Sequence, residues 1–199
     1  MRTAYALVRH ETRLLVSLLL WAARRRHGVG GGQAFGYARG QGAVTAGLVF
    51  VCVVETFTMS VLLRDWPTAH RVVLALDLYT VLFLAGLHAA WTVRPHVLDD
   101  GVLRVRHAAH VDLRVPLEHM ASVRHERRTT HERADGELNL PVGSRTSVTL
   151  ELAAPMAYFT FLGRRREVTV IRLHADDAAR LVRALTRERT APPLPDRPR

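Results

Sequence analysis

Two long apolar stretches, Ala43–Leu63 and Val72–Val93, are separated by only eight residues, and each carries one acid, Glu55 and Asp77. At about 1.5 Å per residue, each stretch is just long enough to cross a hydrocarbon core of roughly 30 Å. Neither contains Arg or Pro. An eight-residue link lets a chain reverse but not build a domain, so the pattern predicts a transmembrane hairpin over residues 43–93. Two unpaired carboxylates in lipid would cost several kcal/mol, so both acids are expected to face something other than lipid.

Charge divides the chain around this hairpin. Residues 1–43 carry net +6, residues 44–93 net −1 and residues 94–199 net +5. Basic flanks on both sides predict that both termini are cytoplasmic and that the protein resides in the plasma membrane. The link Arg64–Arg71 then lies outside, with Trp66 and Pro67 as an aromatic anchor and a turn residue. The chain has no Lys, which excludes a P-loop, kinase-type or Schiff-base lysine. Its one cysteine, Cys52, falls inside the first span, which excludes a disulfide framework, a cysteine-rich zinc site and a CxxC redox pair.

Residues 1–27 read as an amphipathic helix lying in the membrane interface. Leu7, Leu14, Leu15, Leu18 and Leu19 recur at helical spacing, and Arg9, His10, Arg13 and Arg24–Arg26 occupy the polar positions or the end. Two other readings remain: a helix packed on the soluble part, and a signal peptide. Against the signal peptide, Ala22-Ala23 is followed at once by three arginines. Residues 28–42 contain seven glycines and are expected to be a flexible linker. A phosphate-cradling loop fails there, because Gln33 stands where the third Gly belongs and no buried strand precedes it.

From Arg94 the hydrophobic period changes to two. Leu103, Val105 and His107 alternate with Arg104 and Arg106, Val111, Leu113 and Val115 with Asp112 and Arg114, and Val148, Leu150 and Leu152 with Thr149 and Glu151. Asp99-Asp100-Gly101 signals a tight turn. With Ala121–Thr129, Met156–Leu162 and Val168–His174, at least six strands are expected. A final helix has Asp176 as its expected N-cap and an apolar face of Ala178, Leu181, Val182 and Leu185. Residues 190–199, with four prolines, are expected to be disordered. The fold class is therefore α+β: a two-helix transmembrane hairpin followed, over residues 94–189, by an antiparallel β-sandwich or barrel with a C-terminal capping helix.

The runs RPHVLDDGVLRVRHAAHVDLRVPLEHMASVR, LPVGSRTSVTLELAAPM and VIRLHADDAARLVRAL resemble the bacterial PH-like domains of small actinobacterial membrane proteins. The resemblance covers residues 94–187 and implies a PH-like sandwich whose open end is plugged by the last helix. Such domains bind proteins, lipids or each other, so the resemblance implies fold rather than a specific activity.

The candidate site is a polar one inside the membrane: Glu55 with Thr58 on the first helix, and Asp77, Thr80 and His88 along one face of the second. Spacing puts both acids in the outer half of the bilayer, within about one helical turn of the same depth. A structural carboxyl pair, partner recognition and ion movement all explain these residues. His107, His110, His119, His125 and His131 lack zinc-ligand spacing, since Thr129 stands where an HExxH motif needs its second His. Arg94 and Arg104-Val105-Arg106 loosely follow the basic pattern of lipid-binding PH domains, but Asp99-Asp100 in the intervening turn would repel a phosphate. Non-specific attraction of Arg24, Arg25 and Arg26, and of Arg164, Arg165 and Arg166, to anionic lipid needs charge alone. No cofactor, metal, nucleic-acid or catalytic signature is present. The expectation is a membrane scaffold or adaptor acting on a protein partner or as a homo-oligomer. The alternative is a small proton- or cation-conducting component built on the intramembrane acids.

Overall fold

The computed structural model describes residues 2–25, 28–108, 111–130, 134–160 and 164–190. Among the described residues, four α-helices, one short 3-10 helix (Leu117–His119) and eight strands occur, in the order α1 (Arg2–Ala22), β1 (Gln33–Phe35), α2 (Gln41–Leu62), α3 (Pro67–Val93), β2 (His96–Asp99), β3 (Val102–His107), β4 (Val111–Pro116), the 3-10 helix, β5 (Met120–Arg128), β6 (Glu137–Leu140), β7 (Thr146–Phe159), β8 (Arg165–Leu173) and α4 (Ala178–Thr190). The architecture is α+β, with two long apolar helices followed by mainly antiparallel sheets.

Helices α2 and α3 are long and apolar enough to cross a membrane. No residue of α2 is buried, and Phe50, Phe57 and Leu62 stand about two-thirds or more exposed. Helix α3 begins five residues earlier than hydropathy predicts, because Pro67 fits the first helical turn, where its missing N–H costs nothing. The link between the helices shortens accordingly to residues 63–66. The two helices run antiparallel, with Gly42 and Thr45 of α2 beside His88 of α3.

Helix α1 is amphipathic, as its spacing predicts, but it packs along α3. Leu14 sits against Gly86, where the small residues Gly86, Ala89 and Ala90 let the backbones approach. Tyr79 donates a hydrogen bond to Glu11 (3.0 Å), and the rings of Trp21 and His88 meet edge-on at 6.0 Å. Contacts thus advance along both helices together, so the two run in the same sense. Leu15, Val16 and Leu19 remain exposed, and Trp21 stays partly exposed beside His88.

Strands β1–β4 form one sheet in sequential order, and the second sheet has the order β5-β7-β8-β6. The β2–β3 turn is the tight one expected: Asp100 and Gly101 both take positive φ, which matches the twist of a two-residue hairpin. Strand β7 joins the two expected strands into one of 14 residues, and its pairing with β8 shifts between Glu151 and Met156, around Pro155. Strand β6 is parallel to β8, and Arg172 clasps Glu137 across that pair. Inward residues of both sheets, including Leu98, Leu103, Leu150 and Ile171, share one core with Leu181 and Leu185 of α4.

Two expectations are corrected. The glycine-rich segment is not a free linker. Gln33–Phe35 pair with β2 as an edge strand, Phe35 and Tyr37 are buried, and Asp176 donates its N–H to the Gly36 carbonyl (2.8 Å). Asp176 does not cap α4, because its carboxylate accepts the Arg39 N–H (2.9 Å) and Asp177 accepts that of Arg180 (2.9 Å) instead. In the expected tail, Thr190 is the last residue of α4, and residues 191–199 lie outside the described residues.

Candidate functional site

Half-buried residues of α2, among them Gln41, Thr45, Val49, Cys52, Thr56 and Met59, recur every three or four positions and form one stripe, which Thr45 places toward α3 at His88. Glu55 and Thr58 fall off that stripe and are exposed. Since Thr45 lies opposite His88, the antiparallel register carries Asp77 to the level of Thr56. Glu55 and Asp77 therefore stand at about the same level along the two helices. They do not share a side. Asp77 is half-buried, with Oδ2 enclosed and without a hydrogen-bond partner, whereas Glu55 points outward.

The other members of the sequence-predicted set do not join them. Thr58 and Thr80 donate to the carbonyls of Val54 and Leu76, one turn back in their own helices. His88 lies 11 residues beyond Asp77, about 16 Å along the helix, where its Nδ1 is 3.5 Å from the Thr45 hydroxyl. Glu11 is the residue that sequence reasoning missed. It stands beside Tyr79, two residues past Asp77, so three helices each bring one carboxyl toward the same level. The available signal was its position as the one acid among seven arginines in residues 1–43.

The basic residues separate into two kinds. Arg24, Arg25, Arg164, Arg165 and Arg166 are exposed, while Arg26 lies outside the described residues. Exposed Phe159 pairs with Arg165 in the same hairpin. Arg94, Arg104 and Arg106 behave differently, because they gather at the foot of α3. Arg104 makes a bidentate pair with Asp112, both bonds 2.6 Å, across the β3–β4 register. Arg106 is 1% exposed, donates to the carbonyls of Gly28 (3.1 Å) and Pro95 (3.4 Å), and lies 3.9 Å from Asp112. Burial alone would raise the Asp112 pKa, but the Arg104 pair, with Arg106 and Arg13 nearby, holds it below the ordinary carboxylate range.

Beneath these arginines, His96 is fully enclosed. Its Nδ1 accepts the Arg106 backbone N–H (3.1 Å), which leaves Nε2 to donate to the His174 carbonyl (3.0 Å). Burial pushes the ring pKa down to about 4, so it is neutral. Tyr37 packs on it at 4.7 Å between ring centres and accepts the Ala108 N–H (3.1 Å), and burial drives its hydroxyl pKa upward. His107 also lies near Tyr37, nearly parallel to it at 6.1 Å between ring centres, while His119 and His125 are exposed on the surface. His110 and His131 lie outside the described residues. Among the described residues, no group of three or more His, Cys, Asp or Glu is placed to hold a metal ion.

The chain matches no family model, no curated protein and no solved structure. Function must therefore be argued from these residues.

Proposed function

We propose that this protein is a membrane-anchored scaffold or adaptor, with α2 and α3 spanning the plasma membrane and a PH-like β domain held at its cytoplasmic face. The observation that carries this reading is Glu55, exposed on the outward face of a helix whose other outward residues include Val51, Val54, Phe57 and Leu62. A carboxyl there is costly against lipid and is stabilised when another transmembrane segment offers a donor or a cation. The exposed apolar surface of both helices supports insertion, and the net +5 of residues 94–199 supports a cytoplasmic β domain, whereas α1, running in the same sense as α3, turns its first residues toward the opposite face. The C-terminal helix seated in the core of a two-sheet domain supports the PH-like assignment, although parallel β6 and the edge strand β1 depart from a plain antiparallel sandwich.

The test is crosslinking in native membranes, followed by mass spectrometry, with wild type and the Glu55→Gln, Asp77→Asn double variant. The expected result is a crosslinked transmembrane partner that the double variant loses while still folding. A second copy of this chain as the crosslinked species would make the scaffold a homo-oligomer. Retention of the same complex by the double variant would sink the reading.

A further inference from the structure

Helix α2 carries a second ridge besides the one that meets α3. Val44, Leu48, Val51, Glu55, Thr58 and Leu62 follow one another at alternating steps of four and three residues. That spacing keeps them on one line down the helix, and it is the spacing of a left-handed coiled seam. At 100° per residue, the line lies roughly a quarter-turn from the half-buried stripe of Thr45, Cys52 and Thr56. All six residues are exposed. The ridge is about 27 Å long, which is most of the thickness of a hydrocarbon core.

Its middle does not suit lipid. Glu55 sits there, and among the described residues it has no hydrogen-bond or ion-pair partner. Thr58, one turn on, donates its hydroxyl proton to the Val54 carbonyl, and its oxygen keeps lone pairs that can accept. The bulky rings go elsewhere. Phe50 and Phe57 lie roughly 130° round the helix from this line, so the ridge consists of Val, Leu and Thr side chains on which a second helix can pack.

We propose that this ridge is the seam on which a second copy of this chain packs, α2 parallel to α2, with the two Glu55 carboxyls meeting at its centre. The inference deepens the scaffold reading by naming its partner, and it rests on α2 spanning the membrane. Copies inserted in one membrane share one orientation, so a rotation about the membrane normal brings each ridge residue opposite itself. Glu55 then finds its counterpart at its own depth, whereas any other partner must bring a separate donor to that level. The pair holds one proton. The acid of one copy donates to the carboxylate of the other, because two like charges so close together and away from water cannot both be ionised. Thr58 of each copy, one turn away, adds an acceptor at the same seam.

The experiment keeps the full chain in native membranes. Cys52 is replaced by Ser, and one cysteine at a time is introduced, as Val51→Cys or Leu62→Cys on the ridge and as Phe50→Cys or Phe57→Cys off it. A disulfide needs Cα atoms within about 7 Å, so oxidation with copper phenanthroline should link two copies about tenfold more at the ridge positions. Adding Glu55→Leu to the Val51→Cys chain should cut the linked pair about tenfold, the size expected for one hydrogen bond between membrane helices. Equal linking at all four positions would mean random collision and would overturn the seam, as would no linking on the ridge. Unchanged linking with Glu55→Leu would overturn the carboxyl pair. The four cysteine chains retain Glu55, so they decide the seam even if Glu55→Leu does not fold. A different transmembrane protein crosslinked to wild type, with no linked pair of this chain, would overturn the second-copy assignment and leave the scaffold reading standing. Recovery of the chain from the soluble fraction without detergent would overturn the membrane reading on which both rest.

Discussion

The ring of His96 and the backbone carbonyl of His174, 78 residues later in the chain, are 3.0 Å apart and join the start of β2 to the end of β8. The bond spans the two sheets. It requires a neutral ring whose Nε2 carries the proton, since Nδ1 is already an acceptor for the Arg106 N–H. A histidine therefore acts here as a buried structural bridge.

This bridge predicts acid sensitivity. Unfolded, His96 takes a proton near its ordinary pKa of 6.5, but folded it does so only near 4. Above pH 6.5 both states are neutral and the stability is complete. Between the two values only the unfolded chain is protonated, so stability falls by at most about 1.4 kcal/mol per pH unit and by about 3 kcal/mol in all. Below 4 this contribution is fully lost. His174 is shifted the same way, by burial first, and adds to the slope. Denaturant melts between pH 8 and 4 should show this decline. His96→Gln should flatten it while costing about 1–3 kcal/mol at neutral pH, through a lost partner for Arg106 or His174. An unchanged pH slope in His96→Gln would show that other groups set it.

Tyr37 gives a second test, of whether the glycine-rich segment is structural. Its hydroxyl is the acceptor for the Ala108 N–H in a turn where Ala108 has a φ of 48°. Tyr37→Phe keeps the ring and removes that acceptor, leaving a buried N–H unsatisfied, so a loss of about 1–3 kcal/mol is expected in thermal or denaturant melts. A free linker would tolerate the change with no shift in midpoint.

What could be read beforehand follows from the range of each interaction. The hairpin, the alternating strands and the apolar face of α4 are local patterns, and Leu181 and Leu185 emerge fully buried as their spacing indicates. The recruitment of Gln33–Phe35 depends on β2, more than 60 residues away, and glycines masked it by lowering every local signal. Asp176 and Asp177 are chemically equivalent as caps, and only the distant Arg39 N–H distinguishes them. For Glu55 and Asp77, helical spacing gave a shared level along the two helices, but the direction in which Glu55 points depends on which face of α2 meets α3. Glu11 entered the group only through helix packing, which no periodicity within α1 encodes.

The capping helix should be indispensable to the β domain. Leu185 is fully buried in the core shared by both sheets, so Leu185→Ala removes apolar contacts and leaves a cavity, at a cost of about 2–5 kcal/mol. Arg183→Ala, on the exposed face of the same helix, should change the midpoint by no more than about 0.5 kcal/mol. Denaturant melts followed by β-sheet circular dichroism would compare the two. Similar effects at both positions would mean that α4 does not seat in the core as described.

Gly86 should control whether α1 stays on α3. A Cβ added there would meet the Leu14 Cβ at 3.3 Å, tight enough that α1 must give by a few tenths of an ångström. Gly86→Ala should therefore be tolerated with a small loss of packing, while Gly86→Leu has no room for its branch and should lift α1 from the helix. Hydrogen exchange across residues 10–21 reports this directly, because exposure of one helix face loosens its backbone bonds. Gly47→Leu is the control, since nothing lies within 4 Å of that position and its substitution leaves α1 untouched. Exchange in residues 10–21 should rise in the order wild type, Gly86→Ala, Gly86→Leu, with Gly47→Leu matching wild type. If Gly86→Leu protects α1 as well as wild type does, the Leu14–Gly86 contact does not hold the two helices together.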